Sequence, residues 1–341
     1  MASFNAPALL NKGGDDQALA LEMAMNTMLE QFYAQRVFYD NTGTIYQRKA
    51  TGSGKSWQFE WLADGPEAEE FTPGDEMLGQ EYEFDDGNVT VDKPLVAHKA
   101  IRRDQQLMAH WDVLEPLIRQ NTRKVAEKLD TRIAVTLINA ANTAAATKNG
   151  FTVHPGGNAV TRSGHATIAA AYPNTVTGAK AFRDDAYQLA RLQDEDNVPK
   201  DGRYMFVQPY IKQVLFQDTA LFDKDLTGVP GDLNRRVLGN LAGYWLIESN
   251  RIPTTNITAG IEPNSKYQGD FTVASATGLP AAVTCCGARD GMSAIAEVEQ
   301  LALHSHLKYF EFKMAWRTYT GVINGYGVLH PQAAGVIAVL D

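Results

Sequence analysis

An α+β fold is what this sequence predicts, and three observations predict it. The stretch from Asp112 to about Ala146 carries apolar residues at helical spacing over roughly nine turns. Between Thr44 and His98, two strand-like runs flank a turn-rich segment. Beyond Gly150, shorter helical and strand-like patterns mix in one body, without an internal repeat or a disordered linker.

The long helix is the beam of the molecule. Leu114, Leu117, Ile118, Val125, Leu129, Ile133, Leu137 and Ala140 return every three or four positions, as one buried stripe requires. Glu115, three residues after Asp112, gives a capping-box-like start, and Pro116 falls in the first turn, where a missing amide donor costs little. Asn149-Gly150 is the expected terminator. Arg119, Arg123, Lys124, Lys128 and Arg132 occupy the other faces, so the exposed side is expected to be basic. A solvated surface and a partner-binding surface both fit that pattern.

Composition bounds the function. The chain has 341 residues, 44% of them hydrophobic, enough for a real core. No stretch reaches the roughly 18 apolar residues of a membrane span, and Met1 to Leu10 lacks the basic start and apolar run of a signal peptide. A protein made and used in a cytoplasm, with no membrane partner, is the expectation. The adjacent Cys285 and Cys286 suit neither an ordinary staple nor a zinc site, and are expected to be buried thiols. The net charge of −9 argues against gripping nucleic acid by phosphate neutralisation; any relation to DNA would be containment.

Taken in order, residues 1–14 read as a mobile arm, and Asp15 to about Tyr39 as an irregular helix that docks it. The runs Ile45 to Leu62 and Tyr82 to Val96, separated by Gly65-Pro66 and Pro73-Gly74, form an extended hairpin arm. From Trp57 to Asp92 there are twelve acidic residues and no Lys or Arg: Glu60, Asp64, Glu67, Glu69, Glu70, Asp75, Glu76, Glu81, Glu83, Asp85, Asp86 and Asp92. Such a block is either solvated or meets a basic surface, here that of another copy. Phe151 to Gly178 reads as loop with short strands, Ala179 to Gln193 as a helix, and Tyr204 to Val207 as a buried strand. Pro209 opens a further helix through Phe216. Gly243 to Glu248, Ala281 to Cys286, Leu307 to Ala315 and Thr318 to Val328 read as strands, and an apolar strand closes the chain.

No motif points to catalysis. Thr51-Gly52-Ser53-Gly54-Lys55-Ser56 lacks the first glycine of a phosphate loop, since Lys49 stands there, and Trp57 to Trp61 alternates like a strand. His304 and His306 share a strand face, but no third ligand accompanies them, so surface or interface histidines are expected. A flexible acidic arm gives carboxylates no pocket. No catalytic residue, cofactor or metal is expected.

The order of parts resembles the major capsid protein of tailed bacteriophages, nearest to short-tailed phages of the T-odd coliphage type. Three patches carry the resemblance: the hairpin with Ser53-Gly54-Lys55-Ser56 and Thr72-Pro73-Gly74-Asp75; Val89-Thr90-Val91-Asp92 through Met108-Ala109-His110-Trp111-Asp112-Val113 into the long helix; and Leu329-His330-Pro331-Gln332-Ala333-Ala334-Gly335. Gly150 to Gly178 and Thr254 to Gly291 show no clear match.

The resemblance implies the Hong Kong 97 type of fold. It divides the chain into an N-terminal arm (1–43), an extended loop (44–98), a peripheral domain (99–178 and 305–341, with spine helix 112–146) and an axial domain (179–304). It implies a virion protein that assembles in the host cytoplasm into hexamers and pentamers around double-stranded DNA. Portal, a separate scaffolding protein and cement or decoration proteins would be its partners. In that fold the loop crosses a neighbour's peripheral domain, so Glu67, Glu69, Glu70, Asp75 and Glu76 are expected to face Arg119, Arg123, Lys124 or Arg132 of the next copy. The loop has no lysine from Ser56 to Asp92, which implies a non-covalent shell. A nanocompartment shell protein, or a soluble α+β enzyme or binding protein with an unrelated hairpin, are the alternatives.

Overall fold

The computed structural model describes residues 32, 36, 38, 47–50, 54–63, 70, 83–102, 104, 108, 114–218, 240–286, 292–310 and 313–341. Its strands are β1 (Gln47–Ala50), β2 (Ser56–Leu62), β3 (Phe84–Thr90), β4 (Leu95–Arg102), β5 (Ala146–Lys148), β6 (Phe151–His154), β7 (Asn158–Arg162), β8 (Arg203–Val207), β9 (Asn240–Leu241), β10 (Tyr244–Glu248), β11 (Leu279–Cys286), β12 (Ile295–Phe310), β13 (Ala315–Val328) and β14 (Ala334–Val339). Its helices are α1 (Leu114–Ala141), α2 (Ile168–Ala171), α3 (Val176–Glu195) and α4 (Pro209–Leu215). They fall into two compact units, and α1, β12 and β13 run through both.

The first unit comprises Asp92–Asp130 and Glu299–Asn324, with Phe32, Arg36 and Phe38. Strand β4 pairs antiparallel with the first half of β13, Ala315 opposite Arg102 through Val322 opposite Leu95, and β12 lies on the other side of β13. The first half of α1 covers one face of this sheet. Asn121 Nδ2 donates to Thr318 Oγ1 at 3.2 Å, and Lys99 Nζ donates to Gln120 Oε1 at 2.5 Å. Val125, Ala126 and Leu129 are buried, as the expected stripe requires. Arg36, from the N-terminal stretch, is buried against Asp130 at 3.2 Å. The remainder of the expected arm helix lies outside the described residues.

The second unit is built on a six-stranded sheet in the order β7-β14-β11-β8-β10-β9. Pairs β7/β14 and β8/β10 are parallel; β11 is antiparallel to both its neighbours. Helix α3 lays Phe182, Ala186 and Leu189 onto this sheet, packing with Met205, Val207, Ala282 and Ile337 in one core. Thr175 caps α3, its hydroxyl accepting from Gly178 N, and Pro209 starts α4 where no donor is needed. Strand β14, expected in the peripheral domain, and β11, expected in the axial one, pair along most of their length. Local pattern does not encode such long-range pairing.

The long helix differs from expectation in two ways. It ends at Ala141, where Asn142 Nδ2 and Thr143 Oγ1 turn back onto the carbonyls of Ile138 and Asn139, at 2.8 Å each. Asn149 (φ 50°) and Gly150 (φ 93°) instead make the left-handed turn between β5 and β6. The stripe also widens along the helix. Every residue from Arg132 to Ile138 is buried, so this stretch is enclosed on all sides.

Candidate subunit-contact surfaces

The hairpin arm follows from period-two alternation. Strands β2 and β3 pair antiparallel from Ser56 opposite Thr90 to Leu62 opposite Phe84. Trp57, Phe59 and Trp61 occupy the inward face, with aromatic contacts of 6.0 and 5.0 Å between successive rings. Gly87 lies opposite Phe59, and a Cβ there would stand 2.1 Å from the Phe59 ring, so glycine leaves room for the aromatic. At the arm's base Val89 is buried with Ala296, Val298 and Leu329.

The outward face continues the acidic segregation. Glu60 stands opposite Asp86, both exposed, and the next pair toward the tip is Leu62 opposite Phe84, 62% and 47% exposed. Like charges in register destabilise a lone ribbon, and adjacent exposed apolar side chains mark a surface that gains from being covered. The acids are legible in the sequence, whereas their pairing depends on the strand register. The alternation of Trp57 to Trp61 already placed Glu60 opposite the aromatic face and could have found it. Of the expected tip residues, Glu70 is described and exposed; Glu67, Glu69, Asp75 and Glu76 lie outside the described residues.

On α1, Arg119, Arg123 and Lys124 are exposed, as expected. Arg123 Nε donates to Glu127 Oε1 at 2.8 Å and Lys124 Nζ to Glu127 Oε2 at 2.9 Å, so two cations share one carboxylate and the face stays basic. Arg132 is a correction. It is buried, with Nη2 and Nε forked onto Glu262 at 2.8 and 3.2 Å and its guanidinium over the Tyr267 ring at 5.0 Å. Its charge is taken up inside the chain, because water cannot solvate it there.

The other chemistry-bearing residues sit in structural settings. His304 and His306 both pack against Tyr319, at 5.8 and 5.2 Å. Burial pushes the Cys285 thiol up, and the neighbouring Cys286 is buried too. Arg162 forks onto Asp185 at 3.0 and 3.1 Å while the Tyr172 hydroxyl donates to the same carboxylate at 2.6 Å, tying β7 to α3. The charges and hydroxyl of this last cluster are satisfied within the fold.

A family model described as "Gp10A-like: Major capsid protein" matches residues 63–338. The chain belongs to that family. This major capsid protein is similar in fold to the capsid of cyanophage P-SCSP1u: TM-score 0.74, 23% identity, 89% of each chain covered. It is also similar to the mature capsid of bacteriophage PhiM1, with TM-score 0.70, 16% identity, and 86% of this chain and 85% of that one covered. A virus-like particle from Pyrococcus furiosus matches at TM-score 0.51 and 10% identity, over 93% of this chain and 99% of that one. No curated protein sequence matches. The α+β capsid fold expected from the sequence is therefore the fold observed, and the chain is a shell-forming major capsid protein.

Proposed function

We propose that this major capsid protein assembles as hexamers and pentamers into an icosahedral shell that encloses double-stranded DNA without sequence-specific binding. Assembly takes place in the host cytoplasm on a separate scaffolding protein, around a portal, and the finished shell accepts cement or decoration proteins. The protein has no enzymatic role, and its shell is held non-covalently. Support for the phage reading over the nanocompartment reading comes from the family match, whose description is that of a major capsid protein.

Segregation of charge carries the residue-level part of this reading. The acidic block from Trp57 to Asp92 has no cation of its own, and the first half of α1 presents Arg119, Arg123 and Lys124 to solvent. Glu67, Glu69, Glu70, Asp75 and Glu76 of one copy face those three cations of the next, a head-to-tail contact that closes into rings. Arg132 takes no part, being engaged with Glu262. Single exposed pairs contribute about 0–1 kcal/mol, so the contact fixes register and orientation and gains strength from its many copies. The combined variant E67K/E69K/E70K/D75K/E76K is expected to abolish assembly without changing its unfolding midpoint. Adding R119E/R123E/K124E to the same chain is expected to restore it. A reversed tip that assembles like wild type would sink the contact.

A further inference from the structure

The hairpin arm joins the body through a clasp built round a buried histidine. His154, the last residue of β6, is 7% exposed, and its Nδ1 has no hydrogen-bond partner among the described residues. Its ring stands edge-on to Trp61 of β2, 5.3 Å between centroids. Trp61 in turn donates through Nε1 to the Leu329 carbonyl at 2.7 Å, and the next residue, His330, is half-buried beside His154. The β5–β6 turn holds the other strand of the arm: Lys148 Nζ donates to the Phe84 carbonyl and lies 4.0 and 3.8 Å from Glu83 and Asp85, and Asn149 donates to Glu83. A buried polar atom without a partner calls for an explanation in a native fold.

We propose that His154 and His330 are a proton-operated release for the hairpin arm: neutral, they let Trp61 and β2 close against β6, and charged, they let the arm swing from the body.

Geometry sets the direction. A neutral imidazole packs in this T-shaped pair with Trp61, whereas a protonated one buries its charge with an Nδ1–H that has no acceptor among the described residues, beside a second imidazole that charges in the same range. Burial lowers the pKa of both histidines, and His154 lowers that of His330 further. Among the described residues the charged groups facing them are Asp85 from β3, which favours the cationic form of His154, and Lys148 from β5, which lies on Asp85; Trp61 brings none. Burial outweighs Asp85. The closed clasp therefore binds fewer protons than the open one. Its stability is complete above the ordinary histidine pKa of about 6.5 and is lost as pH falls below it. The clasp is a property of one chain, so it is tested apart from the shell reading.

Hydrogen exchange of the unassembled full chain, corrected for intrinsic rates, reads the clasp directly. Between about pH 8 and about pH 5.5, protection of 56–62 and 84–90 is expected to fall by up to about tenfold per pH unit per proton taken up, with β8 and β11 unchanged. The double variant H154Q/H330Q, which cannot charge, is expected to show an arm whose protection does not follow pH, and H330Q alone a reduced dependence. Arm protection in wild type that is equal at both pH values would overturn the proposal, as would the same acid loss in the double variant. Should the double variant fail to fold, wild type and H330Q decide: equal pH dependence in the two would also overturn it.

Discussion

Replacing Arg132 with leucine is expected to lower the unfolding free energy by about 3–5 kcal/mol, because it strands a buried carboxylate. The Arg132 and Glu262 side chains are 6% and 4% exposed, and the fork leaves neither oxygen of Glu262 to water. The pair also anchors a longer chain of contacts. Tyr267, under the guanidinium, accepts through its hydroxyl from Tyr326 N at 2.9 Å, and the Tyr326 hydroxyl donates to Glu297 at 3.0 Å. Loss of Arg132 thus loosens the second half of α1 from the 262–267 segment and from β13 together. The double variant R132L/E262L, which removes both charges, is expected to recover most of the loss, since an apolar pair has no desolvation penalty. Urea unfolding of the unassembled chain measures both. A single variant within about 1 kcal/mol of wild type would mean that the pair is not a buried anchor.

Phe182→Ala is expected to cost about 3–5 kcal/mol by opening a cavity between α3 and the six-stranded sheet. Phe182 is fully buried and meets Tyr172 edge-on, 5.3 Å between centroids. Tyr187 on the same helix is 56% exposed, so Tyr187→Ala is expected to change stability by less than about 0.5 kcal/mol. The contrast separates core packing from helix propensity, which both changes alter only slightly. Similar losses in the two variants would contradict the assigned core face.

Much of this fold was legible because its strongest elements are local. Trp57 to Trp61 alternates with period two, and β2 forms there; Phe182, Ala186 and Leu189 fall at helical spacing, and α3 buries them; Pro209 opens α4. What was illegible depends on residues far apart in sequence. Arg132 reads as a surface cation until Glu262, 130 residues away, is brought to it. The central place of β14 rests on pairing with β11 and β7, which no local pattern records. The early end of α1 turned on Asn142 and Thr143, whose side chains compete for the last carbonyls, whereas Asn149-Gly150 was a stronger turn signal belonging to another element. On the candidate surface, charge segregation was visible in the sequence. The cross-strand juxtaposition of Glu60 with Asp86, and of Leu62 with Phe84, needed the register.

Negative-stain microscopy of the purified protein, expressed with and without the proposed scaffolding protein, tests the central claim most directly. Closed shells of uniform diameter, or flat hexameric and pentameric rings, are the predicted result. A uniform monomer or dimer under every condition would contradict the account.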